Sequence, residues 1–224
     1  FFTNMVAHGA SKILALSFRP MPEDPRRRIK VVPPLLRPAV LGLRHASGED
    51  DPLVHDGGYV HGYMLNSGFS RDVMDWHAVH PEVPLRFFWD KVDEAPMKVV
   101  DKTLSFYYLD DEEFLRQMAG CHAYASTAGF ESVCEAMYLG KPLLMVPSHV
   151  EQKCNAYDAT EGYRMVLGES GGDHGTIPRP AVASDKFDLD LLLHFADNEY
   201  VADKSFPDWA RSADPVFLKE LTFS

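Results

Sequence analysis

Residues 126–155 contain the residue types needed to bind a phosphorylated, hydroxyl-rich ligand. Gly129 stands directly before a segment with helical periodicity, and because it lacks a Cβ a ligand can approach the backbone there. The unpaired N–H groups at the start of a helix, together with the positive end of its dipole, favour a bound diphosphate. Ser132, close to the first turn, adds a further hydrogen-bond donor.

Two further groups of side chains extend this candidate site. Glu135 lies one turn beyond Ser132 on the same face of the expected helix, and a carboxylate that accepts two hydrogen bonds side by side suits a ribose diol. Glu151 and Gln152 follow the next expected strand, and a carboxylate with an amide can bind the hydroxyl groups of a sugar. The pattern therefore predicts a site for a nucleotide that carries a sugar.

The elements that would position these residues alternate between strand and helix from residue 59 onward. The expected helix over residues 130–139 has one apolar stripe, formed at helical spacing by Phe130, Val133, Cys134, Met137 and Tyr138. Such alternation predicts an α/β fold, with a Rossmann-like parallel sheet covered by helices on both faces. Ligands of these sheets bind outside the carboxyl ends of the strands.

The boundaries follow from periodicity and from capping residues. We expect strands over residues 13–18, 29–32, 59–65, 85–89, 103–107, 122–125, 143–146 and 163–167. Helices are expected over residues 70–80, 111–118, 130–139 and 152–161, and from residue 189 onward. Ser70, Asp110 and Asp188 are the expected residues at three helix starts. Residues 41–58 are expected to form a loop, and the tail to Ser224 is expected to be irregular.

Composition excludes several classes of protein. The formal net charge of −11 argues against a nucleic-acid partner, which would need a basic face. No apolar run reaches the roughly 18 residues of a membrane span, which leaves peripheral contact with a membrane open. Cys121, Cys134 and Cys154 are odd in number and form no C-x-x-C pair, as expected of free thiols in the cytoplasm.

Histidine and carboxylate clusters do not predict a metal site. His77 and His80 share a helix face, but no third ligand has a suitable spacing, so we expect a surface pair. The acidic run at residues 110–113 is explained by a helix start. We therefore expect no metal and no cofactor.

The same stretch resembles the donor-binding motif of GT-B glycosyltransferases, including plant glucosyltransferases and the bacterial lipid II-forming N-acetylglucosaminyltransferase. The positions in register are Thr127, Gly129, Ser132, Glu135, Gly140, Pro142, Pro147, Glu151, Gln152 and Asn155. The family pattern has a histidine where this chain has Thr127, and an asparagine where it has Glu131. The resemblance implies the C-terminal, donor-binding domain of such an enzyme.

The resemblance also implies roles for individual residues. Thr127, Gly129 and Ser132 would contact the diphosphate, with Ser67 and Gly68 of the turn at residues 66–68 approaching it from the other side. Glu135 would bind the ribose, whereas Glu151 and Gln152 would bind the transferred sugar. The base would lie beside residues 107–109, namely Tyr107, Tyr108 and Leu109.

The implied activity is metal-independent transfer of a hexose from a nucleoside-diphosphate sugar to an acceptor that the sequence does not identify. A UDP-linked donor is the expected one. Residues 1–45 would be a remnant of the N-terminal domain with its linker, and residues 46–224 the nucleotide-sugar-binding domain. The general base would belong to the missing N-terminal domain, so no catalytic residue is named. A non-catalytic nucleotide-sugar-binding domain and a UDP-sugar 2-epimerase-like enzyme are the alternatives.

Glu131 is at odds with a bound diphosphate. Two unit charges about 4 Å apart repel by about 4 kcal/mol at an effective dielectric constant near 20. Glu131 must therefore point away from the phosphates, be protonated, or indicate that nucleotide binding is weak or lost.

Overall fold

The computed structural model describes residues 9–45, 57–65, 67–90, 97–163 and 177–221. The chain divides into two compact units, residues 37–204 and a smaller unit made of residues 1–36 and 205–224. This division falls nine residues before the expected boundary at residue 45, and it places the C-terminal segment with the smaller unit. The origin of the N-terminal residues as a remnant of another domain stays a prediction.

Nine strands lie in the described residues. They are β1 (Ile13–Leu16), β2 (Ile29–Val32), β3 (Val60–Met64), β4 (Leu85–Trp89), β5 (Met97–Val99), β6 (Leu104–Tyr108), β7 (Ala123–Ser126), β8 (Leu143–Met145) and β9 (Ala181–Ala183).

The helices in these residues are α1 (Pro38–His45), α2 (Ser70–His77), α3 (Asp111–Gly120), α4 (Phe130–Tyr138), α5 (Val150–Tyr157), α6 (Leu189–Asn198), α7 (Phe206–Arg211) and α8 (Ala213–Leu221). A 3-10 turn at Ser67–Phe69 precedes α2, and a π-helical turn at Asp158–Gly162 extends α5.

The larger unit is built on a seven-stranded sheet in the order β5-β6-β4-β3-β7-β8-β9. The pairs are parallel except for β5, which runs antiparallel to β6 at one edge. This arrangement confirms the predicted α/β fold with a Rossmann-like sheet. In the smaller unit β1 and β2 form a parallel pair, and Trp209 on α7 donates its indole N–H to the Ser17 carbonyl at 2.9 Å.

The central strands β3, β4, β7 and β8 are mostly buried, as expected of a parallel sheet covered by helices, whereas the edge strand β5 is exposed. The largest fully buried side chains include Trp89, Tyr124, Tyr138, Phe87 and Phe106. Trp89 and Phe106 stack with ring centroids 4.5 Å apart across β4 and β6. The aromatic side chains of β4 therefore belong to the core.

Two of the three expected helix starts have the predicted cap. Asp110 accepts a hydrogen bond from the Glu113 backbone N–H at 2.8 Å, and Asp188 accepts one from Leu191 at 3.0 Å. Ser70 is not a cap, because α2 continues directly from the preceding 3-10 turn and Phe69 occupies the N-cap position without a side-chain bond.

Five segments differ from the expectation. Residues 38–45 form α1, although residues 41–58 were expected to be a loop, and the tail forms α7 and α8. Strands β5 and β9 have only three residues each, too few to show a period. Tyr163 is helical, so the strand expected over residues 163–167 is wrong there, and its other residues lie outside the described part.

His61 on β3 is buried in an aromatic cluster rather than in a site. Its ring stacks on Tyr124 at 5.2 Å between centroids and meets Phe114 edge-on at 4.8 Å. Burial lowers the pKa of His61 to about 3 from its ordinary 6.5. The folded chain therefore holds this imidazole neutral, whereas the unfolded chain binds its proton below about pH 6.5.

The His61→Leu variant should lose less stability on acidification than the unmodified chain. Because the folded pKa is depressed, His61 lowers the unfolding free energy by about 1.4 kcal/mol for each pH unit below its unfolded pKa. Urea unfolding at several values between pH 7 and pH 5 measures the slope of the unfolding free energy against pH for the unmodified chain and for His61→Leu. His149→Leu, which removes an exposed histidine, is the matched control. Equal slopes for the chain and for His61→Leu would contradict the assignment.

Candidate functional site

The candidate site lies where the order of the sheet reverses. From β3 the chain builds outward through β4 and β6, and after α3 it returns to the other side of β3 with β7. The carboxyl ends of β3 and β7 are therefore adjacent, with connections leaving in opposite directions. Such a switch point forms a crevice in which α/β proteins bind their ligands.

The connection between β7 and α4 is fixed to the end of β3. The Thr127 N–H donates to the Tyr63 carbonyl at 3.3 Å, and the Leu65 N–H donates to the Thr127 hydroxyl oxygen at 3.4 Å. Thr127 is buried. Its hydroxyl oxygen thus accepts a hydrogen bond from the chain's own backbone, at the position where the family pattern has a histidine.

The next residue, Ala128, has a left-handed backbone conformation with φ of 62°. A non-glycine residue in this region carries strain of about 1–2 kcal/mol. Two hydrogen bonds hold it: its N–H donates to the Ser126 hydroxyl at 3.1 Å, and its carbonyl accepts from the Asn155 amide at 3.0 Å. The strained residue directs the chain into α4 at Gly129.

Helix α4 begins at this turn without a capping side chain among the described residues. Gly129 is the N-cap in an extended conformation, and Ser132 donates its hydroxyl hydrogen to the Gly129 carbonyl at 3.3 Å. A Cβ on Gly129 would meet only the Ser132 hydroxyl oxygen, at 3.9 Å. Internal packing does not demand a glycine here, so its missing side chain leaves room for something outside the chain.

A cavity of about 520 Å³ opens at this helix start. Its described lining residues are Arg37, Tyr63, Leu109, Asp111, Phe114, Gly129, Phe130, Glu131, Ser132 and Glu135. A larger cavity of about 820 Å³ lies beside α5 and β9 and contains none of the predicted site residues. The switch point and the uncapped helix start identify the smaller cavity as the candidate site.

Glu135 is engaged in a two-pronged ion pair inside this cavity. Arg37 donates from Nε to Oε1 at 2.6 Å and from Nη2 to Oε2 at 2.7 Å, while Nη1 reaches Asp111 at 3.1 Å. The Glu135 side chain is 0% exposed and that of Arg37 is 28% exposed. Burial raises the pKa of Glu135, opposed by the guanidinium, and the bond to Glu135 raises the pKa of Arg37.

Glu131 is exposed and lines the same cavity. With Asp111 and Glu135 it gives three carboxylates against one guanidinium among the described lining residues. Exposure lets solvent screen the charge of Glu131, which weakens its repulsion of a bound anion without removing it.

Asn155 connects the predicted sugar-binding residues to the turn. Its amide nitrogen donates to Glu151 at 2.9 Å as well as to the Ala128 carbonyl. Glu151 is exposed, whereas Gln152 is buried and its side-chain oxygen accepts from the N–H and hydroxyl of Ser148 at 2.9 Å and 2.8 Å. Part of Gln152's bonding capacity is therefore used within the chain.

Of the remaining predicted residues, only Leu109 is among the described lining residues of the cavity. Leu109 lines it, whereas Tyr107 stacks on Phe88 with centroids 5.1 Å apart and Tyr108 is exposed. Ser67 and Gly68 lie in the 3-10 turn after β3, outside the described lining. Asn66 lies outside the described residues. The cavity thus joins Gly129, Ser132, Glu135 and Leu109 of the predicted set.

The expectation of a surface pair is wrong for His77, which is buried, and the contacts of both histidines are explained by packing. His77 bonds to Asp101 at 3.0 Å, and His80 stacks on Trp76 with centroids 4.1 Å apart. Within the described ranges, no group of three or more His, Cys, Asp or Glu side chains could hold a metal ion.

No helix in the described part of the chain has the length and apolar character to cross a membrane.

Comparison with known proteins identifies the family. The family model described as glycosyl transferase family 1 matches residues 3–169, which is most of the chain. The chain therefore belongs to glycosyl transferase family 1, and the resemblance predicted from the motif is confirmed.

Individual proteins are similar to this chain over part of their length. A hydroquinone glucosyltransferase from Rauvolfia serpentina is 34% identical over 61 residues, which cover 27% of this chain and 13% of the relative. The solved glycotransferase of kitacinnamycin has a TM-score of 0.54 at 15% identity, covering 88% of this chain and 50% of that one. A Medicago truncatula glycosyltransferase solved with UDP-glucose has a TM-score of 0.46 at 15% identity, covering 83% of this chain and 43% of that one. The chain spans about half the length of these structures. Its similarity to the first of them shows that its seven-stranded unit has the fold of a GT-B domain.

The Arg37–Glu135 ion pair should behave as a coupled unit in unfolding experiments. Arg37→Met leaves a buried, unpaired carboxylate and should lower the unfolding free energy by about 3 kcal/mol, whereas Glu135→Leu leaves a partly exposed guanidinium and should cost less. The double variant should be more stable than Arg37→Met alone. Additive losses in a double-mutant cycle, measured in urea, would show that the pair is not coupled.

Asn155 should be intolerant of a negative charge, because both of its partners are hydrogen-bond acceptors. Asn155→Ala should lower the unfolding free energy by about 1 kcal/mol through loss of two bonds. Asn155→Asp should lower it further at pH 7, because a carboxylate would face the Ala128 carbonyl and Glu151. Thermal unfolding at pH 7 compares the two variants, and an aspartate variant as stable as the unmodified chain would refute the assigned amide orientation.

Proposed function

We propose that the chain is the donor-binding part of a glycosyltransferase that transfers a hexose from a UDP-linked sugar to an acceptor. The observation that carries this proposal is the cavity at the switch point, into which the uncapped start of α4 opens beside Gly129 and Ser132. Family membership supports sugar transfer. The glucosyltransferase named among the relatives favours a hexose.

The diphosphate would lie at the start of α4. Backbone N–H groups of the first turn and the helix dipole favour negative charge there, and they would stabilise the leaving diphosphate without a divalent ion. The Gly129 backbone and the Ser132 hydroxyl are the contacts that line the cavity. Thr127, Ser67 and Gly68 would then contribute from the loops that end β7 and β3.

The ribose and the sugar would occupy the two sides of this position. Glu135 would accept the ribose hydroxyls after exchanging its present partner, Arg37. Glu151 would bind the transferred sugar, with Asn155 holding it near the turn and Gln152 adding the amide donors. Leu109, with Tyr107 and Tyr108, would lie beside the base.

A cytoplasmic location forms part of the proposal. Cys121 and Cys134 are buried and Cys154 is exposed, and none of the three forms a disulfide in the described residues. Free thiols are typical of proteins in reducing compartments. The acceptor-binding site and the general base would be supplied by the remainder of a longer enzyme, so this chain by itself would bind a donor without turning it over.

A binding domain without turnover is the second candidate. Three carboxylates line the described part of the cavity, and they oppose the trianionic charge that develops on a departing diphosphate. Assay of the complete enzyme for UDP release separates the candidates. A transferase releases UDP together with a glycosylated acceptor, whereas a binding domain leaves the UDP-sugar intact.

Gly129→Ala should fold normally and weaken UDP binding. The added Cβ meets the chain only at ordinary van der Waals distance but occupies the space where the phosphates would approach the backbone. Calorimetry on the 224-residue chain should give an affinity for UDP about tenfold lower than that of the unmodified chain, which corresponds to about 1.4 kcal/mol.

Gly42→Ala is the matched control for this substitution. Gly42 lies on α1, where an added Cβ meets nothing within 4 Å. The control should bind UDP as the unmodified chain does. If the unmodified chain binds neither UDP nor UDP-glucose, or if both glycine variants bind UDP equally, the proposed site is wrong.

A further inference from the structure

The carboxylate assigned to ribose is blocked in the free chain. Both oxygens of Glu135 already accept charge-assisted hydrogen bonds from Arg37, at 2.6 Å and 2.7 Å. Glu135 lines the cavity but exposes none of its side chain, whereas Arg37 lines the same cavity and is 28% exposed. A ligand in the cavity therefore reaches Glu135 only if the guanidinium leaves.

A ribose diol alone is a poor replacement for the guanidinium. Two neutral hydroxyl donors would take the place of a cationic, two-pronged partner, so the attraction between opposite charges would be lost although the new bonds would still be made to a carboxylate. The exchange would also leave a carboxylate in a buried position without a counter-charge. A nucleoside should therefore bind weakly to this site.

A diphosphate on the same ligand changes this balance. Ser132, whose hydroxyl would contact the diphosphate, precedes Glu135 by three residues, or about 4.5 Å along α4, so phosphates bound to Ser132 would lie within reach of a displaced Arg37 side chain. Arg37 is the cationic side chain among the described lining residues. Moving from one carboxylate to a diphosphate keeps the guanidinium paired, and guanidinium–phosphate bonds are also charge-assisted.

The position of Arg37 suits such an exchange. Its carbonyl accepts hydrogen bonds from the N–H groups of Val40 and Leu41 at 3.0 Å and 3.3 Å, which anchor its backbone at the start of α1. Its third contact is to Asp111, whose side chain is 81% exposed, and exposed ion pairs contribute little. Rotation of the side chain, with the backbone held, would therefore be enough to move the guanidinium.

We propose that Arg37 determines specificity for nucleoside diphosphates over nucleosides, by pairing with Glu135 in the free chain and transferring to the diphosphate when the donor binds. This rests on the proposed function, because it assumes that the ribose and diphosphate occupy this cavity. Arg37 then couples two recognition steps: Glu135 becomes available to the ribose only when a diphosphate is present to receive the guanidinium.

Calorimetry with UDP and with uridine tests this coupling. The unmodified 224-residue chain should bind UDP far more tightly than uridine. Arg37→Gln should weaken UDP binding by about tenfold and strengthen uridine binding, because it removes both the phosphate partner and the competitor for Glu135. Arg37→Lys, which retains the charge but loses the two-pronged grip, should keep most of the UDP affinity and still bind uridine more tightly.

The control is Arg116→Gln. Arg116 on α3 also forms a two-pronged ion pair, with Glu113, but it lies outside the described lining of the cavity. The Arg116→Gln substitution removes the same charge as Arg37→Gln and should leave the preference for UDP over uridine unchanged. Thermal unfolding of each variant shows whether it is folded at the temperature of the titration, and Arg37→Lys carries the test if Arg37→Gln is not.

The outcomes separate the two proposals. Opposite shifts in UDP and uridine affinity support the role of Arg37, since general loosening of the site would weaken both ligands together. An unchanged preference in Arg37→Lys and Arg37→Gln, or parallel weakening of both ligands, overturns that role while UDP binding by the unmodified chain upholds the site. Failure of the unmodified chain to bind UDP overturns both.

Discussion

The ion pair between Arg37 and Glu135 is the constraint on which the rest of the site depends. A carboxylate with no exposed surface carries a large desolvation penalty unless it is paired and hydrogen-bonded in good geometry. Arg37 supplies both, and in doing so it ties the start of α1 to α4 and, through Asp111, to α3. Arg37 and residues of α3 and α4 line the cavity, so the pair shapes the site as well as occupying it.

The sheet determines where this pair can act. Reversal of strand order beside β3 brings the end of β3 and the turn after β7 together, and two hydrogen bonds through Thr127 hold them there. Asn155 then fixes the strained turn at Ala128 and the Glu151 side chain to each other. A small set of backbone and amide bonds thus brings the start of α4, where we propose that the diphosphate binds, and the Glu151 carboxylate, which we propose binds the sugar, into one region.

Local signals in the sequence were enough for much of this architecture. The apolar stripe predicted α4, and the two aspartate caps at Asp110 and Asp188 marked the starts of α3 and α6. Strands β5 and β9 were not predicted, because three residues are too few to show a period and because their positions depend on pairing at the edges of the sheet. The Ser70 cap was wrong because a 3-10 turn supplies the preceding helical residues.

Only the part of the candidate site formed by α4 and the turn before it was predictable from the sequence. The residues of the turn and of α4 lie within a few positions of one another, so spacing reveals them. Arg37 lies 98 residues from Glu135 and precedes a helix that sequence patterns did not predict, and no local signal connects the two. The role of Glu135 in the free chain could therefore be learned only from the packed structure.

A crystal structure of the chain with bound UDP would test the central claim most directly. We predict phosphate density at the start of α4, ribose hydroxyls on Glu135, and the Arg37 guanidinium turned from Glu135 toward the phosphates. Density in the larger cavity beside α5 and β9, or UDP bound while both Arg37–Glu135 hydrogen bonds remain, would contradict it.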